Sequence, residues 1–209
     1  MLEVITGVVL AASAGLNAYI PMLGLGLLSR FTDLVELPGG WAWLENGWCM
    51  GILGVLLLVE VLVDKFPALD SVNDILQTVV RPASGGMVFA AGAASDTVAV
   101  SDPAAFVQSG QVWPIVVGVV VALIPHALKS FARPVLNVLT GGAAAPVTSA
   151  AEDAGSVALV ILAVVVPVVA LLLLIGIIIF LIVRLRRALA ARRARRGEQA
   201  AANVTPAAS

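Results

Sequence analysis

Glu60 and Asp64 stand one helical turn apart, and Glu60 lies inside the apolar run from Trp48 to Val63. An ionisable group at that depth costs about 2.5–3.5 kcal/mol or more unless it is paired or hydrated, so it marks a functional candidate by default. His126, Lys129 and Arg133 recur at i, i+3 and i+7, which puts them on one face of a helix, and they are the partners expected for Glu60. A carboxylate, imidazole and ammonium gathered out of water can relay protons or bind an anion. The same groups also serve as an ion-pair clasp between helices, and both readings stay open.

A second group is dense in side-chain oxygens. Asp70, Asn73, Asp74, Gln77 and Arg81 fall at i, i+3, i+4, i+7 and i+11, one polar stripe on a short amphipathic helix, Ser71 to Arg81, that Pro82 should end or kink. Such oxygens suit a hard cation, but the Gly turn and terminal Glu of a calcium loop are missing, and a solvated interfacial face explains the same stripe. Lys65 follows Asp64 in the breaker Asp64-Lys65-Phe66-Pro67. Arg133-Pro134, Asn137, Thr140-Gly141-Gly142 and Glu152-Asp153 form a matching second excursion. In the first apolar run, Asn17 precedes Pro21 by four residues, so the Asn17 carbonyl loses its helical partner and becomes free for a cation or a hydroxyl, or else marks a structural kink. Asp96 is either a mid-membrane site or an end cap. The candidate site is therefore Asn17, Glu60, Asp64, Lys65, Asp70, Asn73, Asp74, Arg81, His126, Lys129, Arg133 and Asn137.

The chain has no HExxH, GxSxG, Walker A or GxGxxG string, so no catalytic motif is found and no cofactor is implied. An intramembrane hydrolase built on Glu60, Asp64 or Asp96 is a weaker alternative. Cys49 is the only cysteine, which excludes an intrachain disulfide and a Cys/His zinc site.

These residues must be carried by membrane helices. Of 209 residues, 60% are hydrophobic and 12% charged, with a mean hydropathy of +1.05; soluble domains are nearer 45–50% and about 25%. Runs of about 20 apolar residues each suit a bilayer core, and five emerge: Val4–Ser29, Trp48–Val63, Ala83–Ser101, Val112–Leu128 and Val157–Val183, the last with Pro167 as a kink. The expected fold is an all-α polytopic membrane helix bundle, with two polar re-entrant or interfacial segments. The opening Met1-Leu2-Glu3 lacks a basic n-region, so the first run reads as a retained helix. Trp41, Trp43 and Trp48 suit an interfacial belt. The third run is rich in Gly and Ala, which lets helices approach closely. Shifting the chain by 64 residues aligns Gly54 with Gly118, Lys65 with Lys129, Asn73 with Asn137 and Pro82 with Pro146; this is either a parallel repeat, as in transporters, or chance in an Ala/Val-rich chain.

Charge divides the chain. Residues 1–183 hold five basic and twelve acidic side chains, whereas seven arginines and Glu198 follow. Residues 1–190 read as the bundle domain and 191–209 as a basic, disordered tail. Behind a membrane span such a cluster faces the cytoplasm and touches anionic lipid; nucleic acid is not the expected partner. With five crossings the N-terminus lies outside. Partners are the bilayer and, given the small body, a homo-oligomer.

Gly15-Leu16-Asn17-Ala18-Tyr19-Ile20-Pro21, Val59-Glu60, Asp64-Lys65-Phe66-Pro67, Asp70-Ser71-Val72-Asn73-Asp74, Arg81-Pro82, Lys129, Arg133-Pro134, Thr140-Gly141-Gly142 and Glu152-Asp153 together resemble a bacterial integral-membrane family, domain-of-unknown-function family 4126, over residues 5–190. The resemblance implies a small multi-span membrane protein and no particular chemistry. The functional expectation is a small transporter or channel of the bacterial inner membrane. A non-transporting scaffold or assembly factor is the alternative, and a lipid-modifying enzyme comes third.

Overall fold

The computed structural model describes residues 1–93 and 112–204, and every element within them is helical. In chain order these are α1 (Leu2–Leu16), α2 (Tyr19–Phe31), a 3-10 helix (Gly39–Glu45), α3 (Gly47–Val63), α4 (Pro67–Gly92), α5 (Val112–Thr140), α6 (Ala144–Val165) and α7 (Pro167–Val204). Among the described residues three helices are long and apolar enough to cross a membrane, 112–140, 144–165 and 167–191. A fourth crossing results if the 3-10 helix and α3, bent by 63°, are counted as one. The all-α membrane bundle expected from sequence is therefore present, but its segments are divided differently.

The first run is not one span. Asn17 is extended (φ −143°, ψ 124°) and ends α1. Its Oδ1 then accepts from the N–H groups of Tyr19 (3.0 Å) and Ile20 (3.2 Å), satisfying two donors that start α2. Pro21 falls in the first turn of α2, where a missing N–H costs nothing. After the break the chain doubles back. Thr6 Oγ1 donates to Ala163 O, Ser13 Oγ to Ser156 O and Asn17 Nδ2 to Asp153, so α1 runs antiparallel to α6. Gly24 on α2 then meets Val160, and Leu25 and Leu34 line a cavity together with Leu2 and Thr6. The arms, 15 and 13 residues long, reach about 22 and 20 Å, short of a bilayer core of about 30 Å.

Other boundaries move as well. The polar stripe and the small-residue span are one helix: α4 runs through Pro82 to Gly92, and residues 94–101, with Asp96, lie outside the described residues. The Asp102-Pro103 turn does too. α5 continues through Pro125 and Pro134 to Thr140 instead of stopping at Leu128. Packing overrides the prolines, because α4 and α5 lie antiparallel along their length, with Arg81 beside His126 and Gly86 beside Ile115. Two glycines in the left-handed region, Gly141 (φ 61°) and Gly142 (φ 89°), turn the chain into α6. Pro167 does not kink a long helix. Val166 leaves helical geometry (φ −143°, ψ 75°), Pro167 opens α7 as its first residue, and the two helices fold antiparallel with Gly155 facing Ile177.

The aligned copies at a shift of 64 residues do not share structure. Lys65 is exposed in the α3–α4 turn, whereas Lys129 is buried in mid-helix. α7 also continues past Ala191 to Val204, because Ala, Arg, Glu and Gln are strong helix formers; residues 205–209 lie outside the described residues.

These turns sort the charges. The start of α1, the end of α2 and the α6–α7 turn share one end of the bundle. Lys65, Arg81, Lys129, Arg133 and the arginines beyond Val183 stand toward the other, leaving Arg30 the only basic residue at the first end. The core between them is packed through small residues. A Cβ on Gly118 would run into the Gly85 carbonyl and approach Gly86 Cα to 2.8 Å, while Gly51 has nothing within 4 Å. Gly118→Leu is therefore expected to lose about 1–3 kcal/mol or more of stability, and Gly51→Leu to be neutral, as read by thermal unfolding in detergent.

Candidate functional site

The two turns at the Arg-rich end and the tip of the α1–α2 hairpin bring the buried charges together. Arg81, fully buried on α4, donates through Nη2 to Glu60 Oε1 at 2.8 Å. It also lies 3.6 Å from Asp74 and 3.9 Å from Asp64. Glu60 thus pairs with Arg81 and not with Lys129 or Arg133 as the helix-face argument expects. The reason is that the α3–α4 turn folds Glu60 back onto Arg81 of the next helix, while the α5 cations are taken up by Asp64 and Glu152. Lys129 Nζ is held by three oxygens: the Leu16 carbonyl at the end of α1 (3.2 Å), Asp64 Oδ2 (3.4 Å) and Glu152 Oε2 (2.9 Å). Arg133 bridges the same two carboxylates, at 3.1 Å and 2.6 Å. Asn73 Nδ2 donates to the other Asp64 oxygen at 2.9 Å.

His126 is neutral by geometry. Arg81 can only donate, so the contact at 3.4 Å makes His126 Nδ1 the acceptor. The proton is then on Nε2, which donates to Thr78 Oγ1 at 3.2 Å, and that hydroxyl donates to the Asp74 carbonyl. Two buried carboxylates, Glu60 and Asp64, and the less buried Glu152 accordingly face three buried cations, Arg81, Lys129 and Arg133. Half-buried Asp74 and Asp153 add negative charge at the rim. Asn17 holds Asp153 at 2.9 Å, and Glu60 Oε2 and Gln77 Oε1 are buried with no hydrogen-bond partner.

Of the twelve sequence candidates, nine meet here: Asn17, Glu60, Asp64, Asn73, Asp74, Arg81, His126, Lys129 and Arg133. Lys65 is exposed and stays outside. Asn137 is half-buried one turn beyond Arg133, and its carbonyl accepts from Gly142 N–H in the α5–α6 turn. Asp70 falls in α4, but its side chain lies outside the described residues. Glu152 and Asp153 also belong to the network, although they are not among the twelve sequence candidates. Their signal was present, since they are the only acids of the second excursion, but nothing in their spacing says that α6 faces Lys129. Asn73 and Asp74 point to Asp64 and Arg81, not to a shared cation, and no metal-holding group of three His, Cys, Asp or Glu occurs among the described residues.

A family model described as a domain of unknown function (DUF4126) matches residues 4–187. The chain belongs to the DUF4126 family. No curated protein and no solved structure matches it. The matched span takes in the hairpin from Val4 on, the ion network and α7 up to its first arginines, so the network is part of the DUF4126 domain and not an appendage to it.

Asp64, in the turn after α3, is the hub. Burial opposes its carboxylate, but Lys129, Arg133, the Asn73 amide and Arg81 outweigh burial and hold it below the usual carboxylate range. A depressed folded-state pKa adds stability that is present above the unfolded value, about 3.9, and is lost as pH falls through the folded one. Wild type should therefore lose stability in acid below about pH 4. Asp64→Asn, already weakened at neutral pH, should show a shallower acid loss in the same unfolding series.

Proposed function

We propose that this protein is a small membrane transporter or channel that moves an ion or small solute through the polar site at the hairpin tip. One observation carries the reading: a helix break at extended Asn17 is placed deep in the bundle, with the carbonyls on either side of it turned onto buried polar groups, one of them charged. The Leu16 carbonyl meets Lys129, and the Ala18 carbonyl accepts from Ser84 Oγ at 2.6 Å. Broken helices of this kind are tolerated at membrane depth where they are enclosed by protein or line a path, and they form ion and substrate sites in transporters. Glu60 is the residue suited to respond to a passing ion or proton. Its Oε2 has no partner, and Arg81, if released from Oε1, has Asp74 and Asp64 within 4 Å.

By the positive-inside rule the Arg-rich end faces the cytoplasm and Met1 the opposite side, as expected for a bacterial inner-membrane protein. The body is small for alternating access, which favours a channel-like path or a homo-oligomer. A scaffold is the second reading, favoured by the double bridge of Lys129 and Arg133 to Asp64 and Glu152, which ties α3, α5 and α6 together.

Flux through purified protein in liposomes, across a panel of cations, anions and protons, separates the two. Glu60→Gln keeps an acceptor for Arg81 and should fold, as its unfolding temperature would report, yet abolish flux. A folded variant with unchanged flux, or no flux from folded wild type, would turn the assignment toward the scaffold.

A further inference from the structure

We propose that a slot between α6 and α7 holds one acyl chain of an anionic phospholipid, with the headgroup on Arg184. The slot is a cavity of about 190 Å³ whose walls include Leu16, Gly155, Ile177, Phe180 and Leu181, with Glu152 and Arg184 at its Arg-rich end. That volume takes a length of hydrocarbon and leaves the headgroup outside. A Cβ on Gly155 would already sit in van der Waals contact with Ile177 Cδ1, at 3.6 Å, and close to Leu16 Cδ1, at 3.9 Å, so a larger side chain there would occupy the slot.

Charge decides the occupant. The apolar run of α7 ends at Val183, so Arg184 stands where the helix leaves hydrocarbon, at the level of headgroups. Its guanidinium lies 5.5 Å over the Phe180 ring, at the mouth of the slot. Among the described residues no carboxylate pairs with it, because Glu152, the acid lining the same slot, is already engaged by Lys129 and Arg133. Arg186 and Arg187 follow within one turn. An uncommitted cation over an apolar slot fits a phosphate ester with a chain attached; a free phosphate has nothing to gain from the slot, and a zwitterionic lipid gains less from the arginine. A chain seated there would rest on Leu16, at the hairpin tip, and so buttress the backbone that holds Lys129. The lipid site stands independently of the transport reading.

The test uses full-length protein, delipidated in detergent and titrated with dioleoylphosphatidylglycerol or dioleoylphosphatidylcholine, with bound lipid counted by native mass spectrometry. One phosphatidylglycerol per chain should be retained. Arg184→Gln should weaken it about fivefold, the effect of one basic residue at a lipid surface. Gly155→Leu, which fills the slot, should weaken it at least as much, and Leu181→Trp serves the same purpose from α7 if the first variant does not fold. Retention unchanged in a folded slot-filling variant, or phosphatidylcholine competing equally, would overturn the proposal.

Discussion

Charges withdrawn from water persist only where each finds its opposite and its remaining hydrogen bonds, and in this protein that requirement arranges the helices. Arg81, Lys129 and Arg133 come from α4 and α5; Glu60, Asp64 and Glu152 come from α3, the following turn and α6. The shortest pairs, Arg81–Glu60, Lys129–Glu152 and Arg133–Glu152, each join two different helices. Removing one partner from such a set leaves a buried charge unpaired, at a cost of about 3–5 kcal/mol. The network thus fixes how α3, α4, α5 and α6 meet, where lipid gives helices no hydrophobic reason to choose one packing over another.

The hairpin completes the set. A continuous first helix would spend every carbonyl on its own N–H groups, and Lys129 would have two carboxylates but no third acceptor. Ending α1 at Leu16 frees that carbonyl for the ammonium. The Asn17 side chain does two further things, capping α2 with its oxygen and holding Asp153 with its nitrogen. Small residues let the tip reach the cluster, since Gly15 lies against Ala122 and Pro125 of α5.

Much of this was legible in the residues. Depth in apolar sequence singled out Glu60, helical spacing put His126, Lys129 and Arg133 on one face, and Gly/Ala content marked the close α4–α5 crossing. The pairings were not legible, because periodicity describes one helix and says nothing of which neighbour faces it. Arg81 therefore went unassigned to Glu60, and Glu152 went without a role. Proline alone does not locate the breaks: Pro82, Pro125 and Pro134 sit within helices that packing keeps whole, while Pro167 and the region of Pro21 mark true breaks. The hydropathy of Val4–Ser29 fits a single crossing as well as it fits two antiparallel arms, and only the hydrogen bonds of Thr6, Ser13 and Asn17 to α6 separate them.

The doubling back at Asn17 carries the account, and its topology can be measured directly. In a Cys49→Ser background, which removes the sole cysteine, single cysteines at exposed Leu2, Thr32 and Ala190 would be labelled with a membrane-impermeant maleimide from each side of sealed vesicles. The account predicts that Leu2→Cys and Thr32→Cys react from the same side and Ala190→Cys from the other. Thr32→Cys reacting with Ala190→Cys, opposite Leu2→Cys, would mean that the first run crosses the membrane once and would contradict the hairpin.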